Sequence, residues 1–307
     1  IFAEYSATGN AGEAFLLAAP VSVLAIGAVL VSQLTVSEAA SAASPRVLTP
    51  MAPLSLPDWF KLIEKGGLFV LGLQILVPLV TLAAQLERPA RIFETVQLAA
   101  GDIFFSLYVA AMAAVVCLAP ALGAARGLLS ARGRNRLWWF IAVLPLAVPA
   151  PLIGIGLIVI WNRPGLAAFY DSALMPVLAA LTRFLPWAAL VVLAQMRRVD
   201  QSLIEAARVH GKGTVMSWLR VDLPLVAPGI VAAAGIVFAL TLGELGATLL
   251  VTPPGRSTLT IRIYNYLHYG GSADVAALCL VILGAGLGAA LLVWAAMSGW
   301  SWLARRA

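Results

Sequence analysis

Charge is what this 307-residue sequence has least of: Asp, Glu, Lys and Arg make up 11% of it, where soluble domains carry about 25%. With 62% apolar residues, a soluble fold has too little polar surface to cover its interior, so the chain is an integral membrane protein. Cysteine is scarce too. Cys117 and Cys279 both fall inside apolar runs, which excludes a disulfide framework or a thiolate metal site and leaves them as small core residues. The alternating ten-residue segments of an outer-membrane barrel are missing as well, and long unbroken apolar runs stand in their place, which points to helices.

Seven such runs are present, roughly 12–34, 67–86, 102–124, 137–161, 174–195, 226–252 and 276–298. They predict an all-α polytopic bundle of about seven transmembrane helices. Lys and Arg in alternate connections divide fourteen to five, the richer set including Arg126, Arg132, Arg134 and Arg136 and the tail Arg305 and Arg306. A bias of that size puts the richer side in the cytoplasm together with the C-terminus, and residue 1 on the periplasmic side. The net charge of +6 is thereby a matter of topology, and nucleic acid is set aside as a partner.

The first residues, IFAEYSATGNAGEAFLLA, resemble a later piece, IYNYLHYGGSADVAALCL, with Gly9 on Gly271 and Ala14 on Ala276. Duplicated halves are common in transporters. Residues 1–34 are therefore expected to be the last membrane helix of a first half that is cut short. The Ala-, Ser- and Pro-rich stretch 35–66 is expected to be a cytoplasmic linker, and 67–307 a second half with six spans.

One polar interval interrupts the oily pattern on the cytoplasmic side, EAARVHGKGTVMSWLRVDLP from Glu205 to Pro224. Ser202 and Glu205 have the spacing of a helix capping box, and Gly211 suits a left-handed stop. Two short surface helices are predicted, the second starting near Thr214, with Leu223-Pro224 then turning the chain into the sixth span. HGKGT is not a phosphate loop, because Gly213 follows Lys212 where Ser or Thr is required.

Two charges lie inside spans. Arg183 and Glu244 both fall roughly 12–14 Å below the outer surface at 1.5 Å per helical residue. A lone charge at that depth costs about 2.5 kcal/mol or more, so the two are expected to pair or to share one cavity near an outer gate. A gating pair and a static packing salt bridge both fit. The fourth span contains Pro145, Pro149 and Pro151 followed by Gly154 and Gly156, which suits either a path-lining hinge or a packing kink. Outside, Tyr264, Tyr266, His268 and Tyr269 have side chains that bind ferric ion, but an interfacial aromatic belt is the simpler account, and no metal site is assigned.

Glu-Ala-Ala, three residues, Gly211, nine residues, then Val221-x-Leu223-Pro224 resembles the EAA-x3-G-x9-I-x-LP pattern of binding-protein-dependent ABC importer permeases, with Val for Ile. The resemblance implies a type I ABC importer transmembrane domain in the bacterial inner membrane. It further implies that 202–224 is a coupling loop docking an ABC ATPase dimer through Glu205, Ala206, Ala207 and Gly211, with Leu223 and Pro224 fixing its link to the next span. ATP and Mg would then act on that ATPase, and this chain would bind no cofactor and catalyse nothing. The implied partners are a periplasmic substrate-binding protein touching the Tyr264, Tyr266 and His268 face, the other permease half or subunit, and lipid. GELGATLLVTPPG and TLTIRIYNYLHYG resemble the ferric-iron group of these permeases, with thiamine, 2-aminoethylphosphonate and polyamine permeases as alternatives. An ion-coupled secondary transporter using Arg183 and Glu244 as a relay is the rival of another class.

Overall fold

The computed structural model describes residues 1–42, 57–86, 88–130, 136–199, 216 and 218–304, and among these it is helical with no strand. Helices α1 (Phe2–Thr8) and α2 (Ala11–Ala42) are followed by α3 (Asp58–Gln85), α4 (Ala90–Leu98) and α5 (Ala100–Ser130). Next come α6 (Arg136–Ala147), α7 (Ala150–Trp161), α8 (Ala167–Tyr170) and α9 (Leu174–Met196). A π-helical turn at Trp218–Asp222 leads into α10 (Leu223–Leu242), and α11 (Thr248–Val251), α12 (Leu259–Tyr269) and α13 (Ser272–Ala304) complete the order. Among the described residues six helices are long and apolar enough to cross a membrane, and Ala150–Trp161 is a shorter apolar one.

The fourth run, 137–161, differs from the others because its helix is split. Single internal prolines leave α2, α3, α5, α9 and α10 continuous, at Pro20, Pro78, Pro120, Pro186 and Pro228. In 137–161 the prolines come in close succession. α6 stops two residues after Pro145, and Pro149 takes the extended conformation that caps α7. A proline at the first helical turn removes a donor that has no partner anyway, so Pro149 and Pro151 start a helix more readily than they continue one.

Two expectations are corrected. Leu223-Pro224 does not form a separate turn into the sixth span. The π-turn runs straight into α10, with Asp222 in helical conformation and Pro224 within the first turn, where its missing N–H costs little. Nor does that span continue to 252. α10 ends at Leu242, and Gly243 and Gly246 flank a turn that places Glu244 outside any helix. GELGA reads as apolar continuation in sequence, but two glycines three positions apart disfavour helix, each by about 1 kcal/mol relative to Ala.

The core is a three-helix arrangement of α5, α9 and α10, with α13 against α10 and α3 on the outside against α13. Small residues make it possible. Ala113, Cys117, Ala121 and Ala125 recur every four residues along one face of α5, buried against Val177, Ala180, Ala188 and Val192 of α9. In lipid no water is expelled by such contacts, so close approach over small side chains carries the packing. α2 lies against α6 and α7, where Ala14 and Ala18 meet Leu152 and Ile155. The order α1, left-handed Gly9, α2 is repeated by α12, left-handed Gly270, α13, one residue out of the register that the sequence alignment gives.

Candidate functional site

Arg183 leaves the middle of α9, and Glu244 sits in the turn after α10. Arg183 Nη1 lies 3.1 Å from both carboxylate oxygens of Glu244. The Glu244 side chain is 4% exposed and that of Arg183 36%, so the acid is sealed while the base keeps an open flank. Burying a carboxylate is costly unless its lone pairs are filled. Here Oε1 also accepts the Ala247 N–H at 2.8 Å, and the Glu244 carbonyl accepts hydroxyl bonds from Thr248 at 2.8 Å and Thr260 at 2.9 Å. Glu244 thus ties together α9, the turn, α11 and the first turn of α12.

The split helix reaches the same place. A Cβ on Gly246 would come within 2.8 Å of Ala150 Cβ, and one on Gly154 would come within 3.0 Å of the Leu250 side chain and 3.1 Å of the Ala247 carbonyl. Both glycines are there because α7 lies directly on residues 246–250. The break at Pro149 and the break at Gly243–Gly246 therefore adjoin, with the Arg183–Glu244 pair between them. Two interrupted helices around one buried charge pair form a joint that continuous helices cannot supply, since freed backbone groups at membrane depth must face protein or water.

α9 and α10 are joined a second time at the far end of the bundle. Gln195 donates through Nε2 to the Leu225 carbonyl at 3.1 Å, and a Cβ on Gly229 would meet Gln195 Cβ at 2.4 Å. Leu223 and Pro224 open α10 just before this crossing. Glu205, Ala206, Ala207 and Gly211 lie outside the described residues.

Sequence reasoning missed the structure of the end to which α4 and α12 belong. Arg91 grips Asp274 with Nε and Nη2, both at 3.0 Å, and the Thr95 hydroxyl donates to the same carboxylate at 2.9 Å. Arg262 bonds Asp102 through Nη1 and the Tyr266 hydroxyl through Nη2 at 2.9 Å. Hydrogen bonding to Asp102 raises the Arg262 pKa further above its usual value. Tyr266 is thus engaged inward, whereas His268 is exposed, its Nδ1 2.8 Å from the Tyr264 carbonyl and its ring 4.3 Å from the Tyr264 ring. Among the described residues no three His, Cys, Asp or Glu side chains converge as a metal site. A cavity of about 380 Å³ opens between the start of α5 and two loops, lined by Phe105, Tyr108, Asp171 and Arg256 among others. Arg91–Asp274 and Arg262–Asp102 had only their charges as a signal, since the partners are 183 and 160 positions apart.

Comparison with known proteins agrees with this architecture. A family model described as "Binding-protein-dependent transport system inner membrane component" matches residues 119–305. The molybdenum transport system permease protein ModB of Mycobacterium tuberculosis is 30% identical over 251 residues, covering 76% of this chain and 92% of that protein. A 2-aminoethylphosphonate transport system permease protein, PhnV, of Salmonella typhimurium is 31% identical over 143 residues, 46% of this chain and 52% of its own. The fold is similar to that of a chain in the crystal structure of a bacterial alginate ABC transporter bound to its alginate-loaded periplasmic protein. That match has a TM-score of 0.60 at 15% identity over 77% of this chain and 93% of that one.

Proposed function

Because this chain belongs to the family of binding-protein-dependent transport system inner membrane components, we propose that it carries the translocation path of an ATP-driven importer and hydrolyses nothing itself. ATP and Mg belong in this reading to a separate ABC ATPase dimer that docks on Glu205, Ala206, Ala207 and Gly211. The observation that carries it is the continuity of one element. The last part of the stretch with the EAA spacing, Trp218–Asp222, is a π-turn that continues directly into α10, and α10 ends at the turn where Glu244 holds Arg183. A push on the loop therefore moves the head of a helix whose far end is fixed to the joint between the two interrupted spans. Family membership also favours this reading over an ion-coupled secondary transporter.

The orientation that follows the charge bias sets α4, α8 and α12 toward the periplasm, where a loaded binding protein would meet the exposed His268 and its neighbours. The Arg183–Glu244 pair and the Pro145–Pro149 break form the gate region in this account. Ferric iron is the proposed cargo, on the wording of GELGATLLVTPPG and TLTIRIYNYLHYG. The 2-aminoethylphosphonate permease among the relatives keeps a phosphonate as the second reading. Uptake of radioactive ferric iron by cells expressing the intact transporter tests both levels. Uptake that needs this chain, the ATPase and the binding protein supports iron. Uptake of aminoethylphosphonate instead replaces the cargo, and transport that persists without the ATPase removes the importer reading.

A further inference from the structure

If the loop before α10 receives force, something must pass that force to α5, the other long helix in the central contact. α10 is tied to α9 at its head, by Gln195 to Leu225, and just past its end, by Glu244 to Arg183 in the middle of α9. They can move as one piece. α5 meets them through small apolar side chains, which slide easily and transmit little directed force. Polar contact between α5 and the head of α10 comes from Arg126, near the end of α5. Its Nη2 lies 3.9 Å from Asp222 Oδ2, and its guanidinium carbon stands 4.7 Å from the centre of a Trp218 ring. Trp218 and Asp222 are the first and last residues of the π-turn, so Arg126 spans that turn from end to end.

A second observation marks this spot as built for a donor. Among the described residues Asp222 Oδ1 is buried with no hydrogen-bond donor, an unfavourable arrangement that a donor brought to it would relieve. The π-turn beside it is a form that occurs frequently at functional sites. The Arg126 guanidinium fork carries five N–H donors, more than this one loose contact uses. The ion pair at 3.9 Å is a loose contact, with room to close.

We propose that Arg126, Trp218 and Asp222 form a latch that engages α5 when the loop is pushed, with Arg126 as a positioning residue for energy coupling. The proposal rests on the reading of 205–224 as the ATPase-docking stretch.

The test needs no cargo. The permease is prepared with its ATPase in lipid vesicles, with Cys117 and Cys279 replaced by Ala and Asp171→Cys placed at the far end of the bundle. Labelling by a membrane-impermeant maleimide is timed with and without nucleotide trapped by vanadate. The chain with Arg126 intact is expected to change its labelling rate about five-fold on trapping, and Arg126→Gln to hold that change below about two-fold while trapping the same amount of nucleotide. A full response in Arg126→Gln overturns the latch. Should Arg126→Gln not assemble, Asp222→Asn asks the same from the other partner, and a full response there overturns the latch equally. No response with Arg126 and Asp222 intact contradicts the docking reading itself, and the latch falls with it.

Discussion

Arg183 Nη1 stands 3.1 Å from each carboxylate oxygen of Glu244, and this contact joins the middle of one helix to a turn beyond the end of its neighbour. The two partners are unequal: Glu244 is sealed and Arg183 keeps a flank open. Removing the base should therefore hurt more than neutralising the acid. Arg183→Ala leaves a buried carboxylate without counter-charge and is expected to cost about 3 kcal/mol. Glu244→Gln keeps an acceptor for the Ala247 N–H and leaves a cation with access to polar surroundings, at about 1 kcal/mol. The double variant should cost less than the sum of the two, with a coupling of about 1–3 kcal/mol. Unfolding in detergent micelles measures all three, and strictly additive losses would falsify the pair.

The contact between the two interrupted spans makes a separate prediction. Gly246→Ala puts a methyl group within 2.8 Å of Ala150 Cβ, and the overpacking is expected to destabilise by about 1–3 kcal/mol. Ala150→Gly in the same chain should recover most of that loss, because it removes the atom that is struck. If rescue fails in the same unfolding assay, α7 does not lie on the Gly243–Gly246 turn.

Much of this could be read from the residues alone, for physical reasons. An apolar run longer than the bilayer is thick has few other uses, so the spans and their charge bias were plain. Two lone charges at one depth also had to be reconciled, and Arg183 and Glu244 are in contact. The turn that holds Glu244 was hidden because Leu, Ala and Thr around Gly243 and Gly246 keep the hydropathy high, and hydropathy does not register backbone conformation. The Arg91–Asp274 and Arg262–Asp102 bonds were hidden for another reason: neither partner carries a local cue to the other across so much intervening chain. Gln195, near the end of an apolar run, crosslinks the head of α10 to α9, a contact that no charge signals in the sequence.

The paired arginines at the α4 and α12 end should act as a clasp. Asp274→Asn removes the charge that Arg91 grips twice, and Asp102→Asn leaves Arg262 with the Tyr266 hydroxyl. Each is expected to release about 1.5–3 kcal/mol of charged hydrogen bonding, that is, roughly ten-fold or more in local opening. Amide exchange should quicken over 90–98 for the first and over 259–269 for the second, with the α5–α9 contact unchanged. Uniform quickening through the bundle would contradict a local clasp.

Sidedness is checked with two cysteines. In a chain with Cys117 and Cys279 replaced, His268→Cys should react with an impermeant maleimide added outside intact spheroplasts, and Met216→Cys only after the membrane is opened. Both positions are exposed. The reverse pattern inverts the topology and with it the assignment of 205–224 to the cytoplasm.

The central claim is that an ATPase docks on the stretch beginning at Glu205, and retention of that ATPase tests it most directly. Ala207→Asp places a charge where the docking face is expected to allow close approach. The measurement is the amount of cognate ABC ATPase that co-purifies with the permease from detergent-solubilised membranes, compared with the unaltered chain. Loss of the ATPase from a permease that still elutes as a folded, monodisperse particle is the predicted result. Full retention of the ATPase on Ala207→Asp, and on Gly211→Asp beside it, would contradict the account.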